Sequence, residues 1–328
     1  MANYTDGLFR DVVSPDPREM PQTVAREVIQ VATQSSALMQ LAQRKVMPAR
    51  THRMPVLSTL PLAYWLDSGT TAGNDTLSKQ TSKVQWDNVV LTAMEIAVLI
   101  PVSDAYVADT GVDLLSEMKP LIGQEFGNLI DGAGLFGAGI PSGWGDSHSS
   151  IYAKAVAAGN AVTEGAGTDL AVDLGNAAAG LVKDGFDTNG WASEPGFHWR
   201  LVNLRTTQGV PIYAPIANGQ PETIFGNPLY QVKNGAWDSS KASVILGDWT
   251  KAIVGVRQDI TFDVSNSGVI ADPATGLVKF SAFQQDSKIL RAVGRFAFAT
   301  SNPVTALNTN ASTRFPFAVL RHSGGPAS

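Results

Sequence analysis

Histidines, cysteines, acid pairs and glycine-rich loops are the parts of a chain most able to do chemistry, and here each has a definite arrangement. The four histidines, His52, His148, His198 and His322, stand far apart. None has an i, i+4 partner or a carboxylate at ligand spacing, so they predict no metal site. Cysteine is absent from the 328 residues, which excludes disulfides, thiolate zinc and a cysteine nucleophile. No Gly-x-Ser-x-Gly elbow and no P-loop lysine pattern occurs. Acid pairs such as Asp184 with Asp187, or Glu117 with Glu125, read as solvated helix ends and faces rather than as a general acid and base. The polar residues therefore predict neither an enzyme nor a cofactor.

One motif needs its context weighed. Gly132-x-Gly134-x-x-Gly137, followed by Gly139, Gly143 and Gly145, spells the dinucleotide fingerprint. That chemistry needs a strand before the glycines and a helix after them, so that the pyrophosphate meets a helix N-terminus. Here a helical pattern precedes them, and Pro141 with a polar loop follows. A nucleotide-binding enzyme is thus an alternative that the element order disfavours, and a helix-terminating domain junction is the better reading.

The elements around these residues follow from periodicity. Pro15, Pro17 and Pro21 make residues 1–21 an arm without regular structure of its own. Val24, Val28, Val31, Leu38 and Leu41 predict a helix from Thr23 to about Lys45. Residues 60–67 and 83–92 read as two strands joined by a polar connection, Ser68 to Ser78, and they carry Tyr64, Trp65, Leu66 and Trp86. Extended, each 14-residue limb reaches ~45 Å, beyond a body whose radius of gyration is ~20 Å. An isolated hairpin is marginal in water, so exposed aromatics there imply a neighbouring subunit as cover. An internal sheet pair is the competing arrangement.

Ser103 caps a short helix, and Leu114 to Ile130 is an amphipathic helix containing Pro120 and ending in glycine. A second domain opens with the Ala/Gly-rich stretch Ala153 to Gly167, after which Thr168 and Asp169 cap a helix running to Gly185. Strand signals follow at Phe197 to Val202, Ile224 to Tyr230, Val244 to Leu246, Ile253 to Val264 and Lys288 to Ala299. The fold class is α+β.

Composition narrows function. Lys+Arg 24 against Asp+Glu 29 gives a net charge of −5, which excludes a nucleic-acid binder driven by electrostatics. The charged fraction is 16%, below the ~25% of ordinary domains, so much neutral surface awaits cover, most simply by copies of the chain. No apolar run is long enough for a membrane span and no leader pattern precedes the chain, which predicts a soluble product made in a cytoplasm.

The order of parts is itself a signature: the arm, the long hairpin, the Ile100-Pro101-Val102-Ser103 junction, the helix ending Ile130-Asp131-Gly132 before Phe136-Gly137, the Gly226-Asn227-Pro228 turn, Gly247-Asp248-Trp249, and the final Arg291/Arg295 segment. It resembles the major capsid proteins of tailed bacteriophages, which share the Hong Kong 97 phage-type capsid fold. The resemblance implies an N-terminal arm and helix (1–55), an extended hairpin loop (56–95) and a peripheral domain with a long spine helix (96–145). An axial domain (146–270) and peripheral strands with the C-terminus (271–328) complete the chain. It implies hexamers and pentamers closing an icosahedral head around double-stranded DNA, assembled in the bacterial host cytoplasm and located in the virion. A portal protein, and separate scaffolding and decoration proteins, are the implied partners, with no cofactor and no membrane. The hairpin residues Tyr64, Trp65, Leu66 and Trp86 become inter-subunit contacts, and Gly132, Gly134, Gly137 and Gly139 the hinge between peripheral and axial domains.

Departures sharpen the expectation. The arm is too short to hold the scaffolding region some members carry, so scaffold is expected as a separate protein or one already cleaved off. Some members join a loop lysine to an asparagine with the help of a glutamate. Lys79 and Lys83 lie in the loop and Asn302, Asn308 and Asn310 near the other end, but no glutamate follows Glu222, so non-covalent assembly is expected. The rival on the same fold is an encapsulin, a bacterial compartment enclosing enzymes, disfavoured by the arm and the long hairpin.

Overall fold

The structure is a computed structural model describing residues 36–61, 82–106, 114–204, 223–272 and 275–323, with the side chains of 114–117 left out. Its frame is a four-stranded sheet in the order β1-β10-β13-β4. The two central strands, β10 (Ala252–Ser265) and β13 (Ser287–Thr300), are antiparallel over their length. Val254, Val256, Ile260 and Phe262 alternate toward the core along β10, the period-two pattern expected for a strand buried on one face. At one edge β1 (Gln43–Val46) pairs parallel with β10; at the other β4 (Met94–Ser103) pairs antiparallel with β13.

Helix α1 (Ala37–Leu41) ends four residues before the Lys45 expected as the end of the 23–45 helix. Residues before Ser36 lie outside the described chain, and Lys45, expected in the helix, belongs to β1. At Ala42 the backbone is extended, and pairing with β10 satisfies the next residues better than a further helical turn would. Helix α2 (Leu114–Asp131) packs Ile122, Phe126 and Ile130 on the sheet. Pro120 lies inside α2. The chain continues from Asp131 into a π-helical turn, Gly132–Phe136, and stops at Gly137, whose φ is 74°.

The second sheet has the order β5-β14-β9-β6-β8-β7. Its strands are β5 (Ala161–Thr163), β6 (Gly190–Ser193), β7 (Thr223–Ile224), β8 (Asn227–Gln231), β9 (Ala242–Gly247) and β14 (Phe317–Arg321). One face, with Ala192, Ile245, Phe317 and Val319, joins the main core beside α3 (Ile151–Ala158). The other, with Trp191, Val244, Leu246 and Leu320, is covered by α4 (Leu170–Lys183) and α5 (Phe197–Val202). Burial on both faces is why β9 is a run of apolar residues and not an alternating one. As expected, Asp169 caps α4, its carboxylate accepting from the Val172 N–H at 3.0 Å.

A further expectation is corrected here. Phe197 to Val202 is a helix, not a strand: Phe197 and Leu201, four apart, face the sheet while Trp199 is exposed, which is helical spacing. The two sheets also draw on segments from both sides of residue 270. β10, expected in the 146–270 unit, is central to the four-stranded sheet, and β14, expected with 271–328, lies inside the six-stranded one.

Between the frame strands, β11 (Val269–Ala271) and β12 (Val278–Ser281) form a small two-stranded sheet. The hairpin expected to project is the other two-stranded sheet, β2 (Thr51–Thr59) with β3 (Gln85–Thr92). Its paired limbs begin before residue 56 and end before 95, and most of the first expected strand, residues 62–67, lies outside the described chain.

Candidate assembly surfaces

Among the described residues the hairpin is fastened to the body at two levels. Leu91, fully buried, packs with Met47, Ile253 and Ala297, and a Cβ on Gly143 would lie 2.5 Å from the Met94 sulfur. Further along, the Val304 N–H donates to the Leu57 carbonyl at 3.0 Å. Beside these contacts the second limb still presents open surface: Trp86, paired with Leu57, is 66% exposed, and Val84 and Val90 are each about half exposed. Of the four expected contact residues, Trp86 is thus placed on an uncovered surface, while Tyr64, Trp65 and Leu66 lie outside the described residues.

The glycines expected as a hinge divide into two kinds. Gly132 and Gly134 are buried inside the π turn; a Cβ on Gly134 would press into Leu38 Cδ1, so close packing requires that residue to be small, whereas a Cβ on Gly132 would meet nothing nearer than the Ala138 Cβ at 3.7 Å. Gly137 and Gly139 have φ of 74° and 61°, the left-handed region where side chains are strained. The Gly137 N–H and the Ala138 N–H donate to carbonyls within the turn. These amides close a helix and are not presented to an anion, which removes the basis for a nucleotide site.

Sequence reasoning missed the residue that organises this junction. Asp131, at 0% exposure, ends α2 and accepts four hydrogen bonds. The Ser36 hydroxyl and the Leu38 N–H donate to one carboxylate oxygen. The Ala37 N–H, at 2.8 Å, and the Asn234 amide, at 2.7 Å, donate to the other. Burial pushes its pKa above the ordinary value, and the bonds from Ser36, Leu38, Ala37 and Asn234 pull it partly back. One carboxylate therefore ties the start of α1, the end of α2 and the loop before β9. The available signal was an acid at a helix C-terminus with no basic residue in the last turn, a placement the helix dipole disfavours.

Asp184 is a further correction. It was expected as a solvated helix end, yet it is buried and accepts from the Asn160 and Asn308 amides and the Phe315 N–H. Asn302 in turn donates to the Ala311 and Arg314 carbonyls and accepts from the Arg314 guanidinium. Asn302 and Asn308 thereby organise the 301–316 connection. Lys83 is exposed at the hairpin limb, and Lys79 lies outside the described residues. Among the described residues no group of three or more histidines and acids is placed to hold a metal, and no helix is long and apolar enough to cross a membrane.

A two-sheet body with a hairpin fastened at two levels, exposed apolar surface and a rigid polar junction defines a structural subunit made to be covered by others. The sequence profile of the phage capsid family matches residues 20–307, and the chain belongs to that family. The major capsid protein of Staphylococcus phage 80alpha is 24% identical over 270 residues, spanning 81% of this chain and 76% of that one. A solved chain from Microbacterium phage Oxtober96 superposes with a TM-score of 0.80 at 33% identity, covering 92% of this chain and 96% of its own length. One from Mycobacterium phage Adephagia gives 0.79 at 26% identity, with 93% and 96% covered. The protein is accordingly a structural component of a tailed-phage virion that self-assembles into the capsid shell. Its relatives are not enzymes.

Proposed function

We propose that the chain forms hexamers and pentamers that close an icosahedral head around packaged double-stranded DNA, after assembly in the bacterial host cytoplasm. The observation that carries this reading is the β2–β3 hairpin: a sheet of two strands among the described residues, with an indole two-thirds exposed on its second strand. Exposed aromatic area of this kind is stable only under a cover. A limb that lies on the next copy makes a heterologous contact, which closes into rings. Tyr64, Trp65 and Leu66 extend the same contact toward the hairpin tip.

Gly137 and Gly139 serve as the hinge between the long-sheet and six-stranded halves, because left-handed glycines turn at low cost. Gly132 and Gly134 transmit that movement as part of the rigid α2 turn. A portal protein occupies one vertex, and separate scaffolding and decoration proteins guide and reinforce the shell. Negative-stain microscopy with a nuclease-protection assay tests the reading. Shells with protected DNA are expected from infected cells. Discrete monomers would overturn it, and shells filled with an enzyme would transfer it to an encapsulin.

A further inference from the structure

A polar cavity of about 450 Å³ opens beside α3. Lys154, Ala157 and Ala158 of α3 form one side, the end of β13 at Thr300 another, and Ser312 and Arg314 of the following connection a third. The charged side chains that line it, Lys154 and Arg314, are both cations.

Among the described residues neither cation meets an anion. The Lys154 amine donates to the Thr300 hydroxyl at 2.9 Å and to no other acceptor there, although an ammonium has donors for more than one. Arg314, only 3% exposed, donates to the Asn302 side-chain oxygen and carbonyl and to the Asn308 carbonyl. These neutral acceptors fix the guanidinium and leave its charge uncompensated. The nearby carboxylates bond elsewhere. Asp146 accepts from the His148 N–H and the Ser149 hydroxyl, and Asp184 from two asparagine amides and the Phe315 N–H. Taking two cations out of water is costly unless an anion joins them.

The donors also select the anion. The Nε and Nη2 groups of Arg314 both donate to Asn302, which fills one edge of the fork on which a flat carboxylate would dock. What remains comes from separate elements: the Lys154 amine, the rest of the guanidinium, and the hydroxyls of Thr300 and Ser312. Such a set matches an acceptor whose oxygens point in several directions. We propose that this cavity binds the phosphate group of a small molecule, inorganic phosphate or a phosphate monoester, with Lys154 and Arg314 supplying the charge. The space beside Ala157 and Ala158 admits the body of an ester.

The test is calorimetric titration of the full-length unassembled subunit with inorganic phosphate, at constant ionic strength in chloride. Saturable binding at one site per chain is expected. Lys154→Met, checked by circular dichroism, should weaken it at least about tenfold, the loss of one charge-assisted hydrogen bond. Should that variant fail to fold, Ser312→Glu decides. Ser312 is exposed, so the change is tolerated, and the new carboxylate should occupy the cavity and abolish phosphate binding. No saturable heat from the parent up to ~10 mM phosphate, or unchanged affinity in a folded variant, would overturn the site. A nucleoside monophosphate should compete with phosphate, whereas a single-stranded oligonucleotide without terminal phosphates should not. Displacement by that oligonucleotide would overturn the assignment to a small ligand. Each of these failures leaves the shell reading standing, because assembly rests on other surfaces.

Discussion

Asp131 shows how much one side chain can hold. Four donors from two other segments converge on it, and its removal would leave buried main-chain N–H groups with no acceptor. Asp131→Ala should lower the unfolding free energy of the unassembled subunit by roughly 3–5 kcal/mol, the usual cost of breaking a buried charged network, read from urea denaturation. An unchanged midpoint would mean that the three segments are held by packing alone. Lys154 is the opposite case. Its amine donates to the Thr300 hydroxyl at 2.9 Å, and burial holds its pKa below the ordinary lysine value while Asp146 partly restores it. A lysine depressed in the folded state binds fewer protons than the unfolded chain, so its contribution to stability rises as pH climbs from the folded value toward the ordinary one. At neutral pH the buried charge is a cost, and Lys154→Met should leave stability unchanged or raised, with a weaker alkaline rise than the parent. A marked loss at neutral pH would show that the Thr300 bond outweighs desolvation.

The hairpin and the spine carry the predictions that belong to whole elements. Trp86 and Leu91 lie on the same strand, one exposed and one fully buried, and they separate assembly from folding. Trp86→Ala should leave circular dichroism and thermal unfolding of the subunit nearly unchanged and reduce particle formation. Leu91→Ala should destabilise the subunit itself by about 2–5 kcal/mol, as core truncations do. If Trp86→Ala unfolds the subunit, the indole belongs to the protomer's own core and the assembly reading of the limb fails. At this scale much was legible in the sequence. The period-two run along Ile253 to Val264, the cap at Asp169 and the helix from Leu114 to Ile130 appear where their spacing puts them. Phe197 to Val202 was misread because six residues hold too few repeats to separate period two from period four. Lys45 was misread because a partner strand some two hundred residues away decides its conformation.

Across the whole molecule, the two sheets do not follow the order of the chain. β14 returns to the middle of the six-stranded sheet between β5 and β9, so the last strand closes a domain that began some 160 residues earlier, with β5 (Ala161–Thr163). This interlocking predicts that the two halves unfold together. A single cooperative transition is expected in calorimetry of the unassembled subunit, with calorimetric and van't Hoff enthalpies in agreement. Two resolved transitions would show the sheets to be independent units. The net charge of −5 also belongs to the whole, and it suits the proposed role of a wall around DNA that does not grip it.

The sequence by itself determined the elements with long periodic patterns, the α+β class, the lack of a catalytic constellation and, through the order of its parts, the family. Those features are local, or they survive as order along the chain, so no knowledge of packing is needed to read them. The tertiary structure alone decided that Gly134 is small because Leu38 and Phe298 press on it, and that Asp131 and Asp184 are buried organisers. Each depends on which distant residues become neighbours. A residue's spacing along the chain fixes the face it shares with its own element, but not what lies opposite that face.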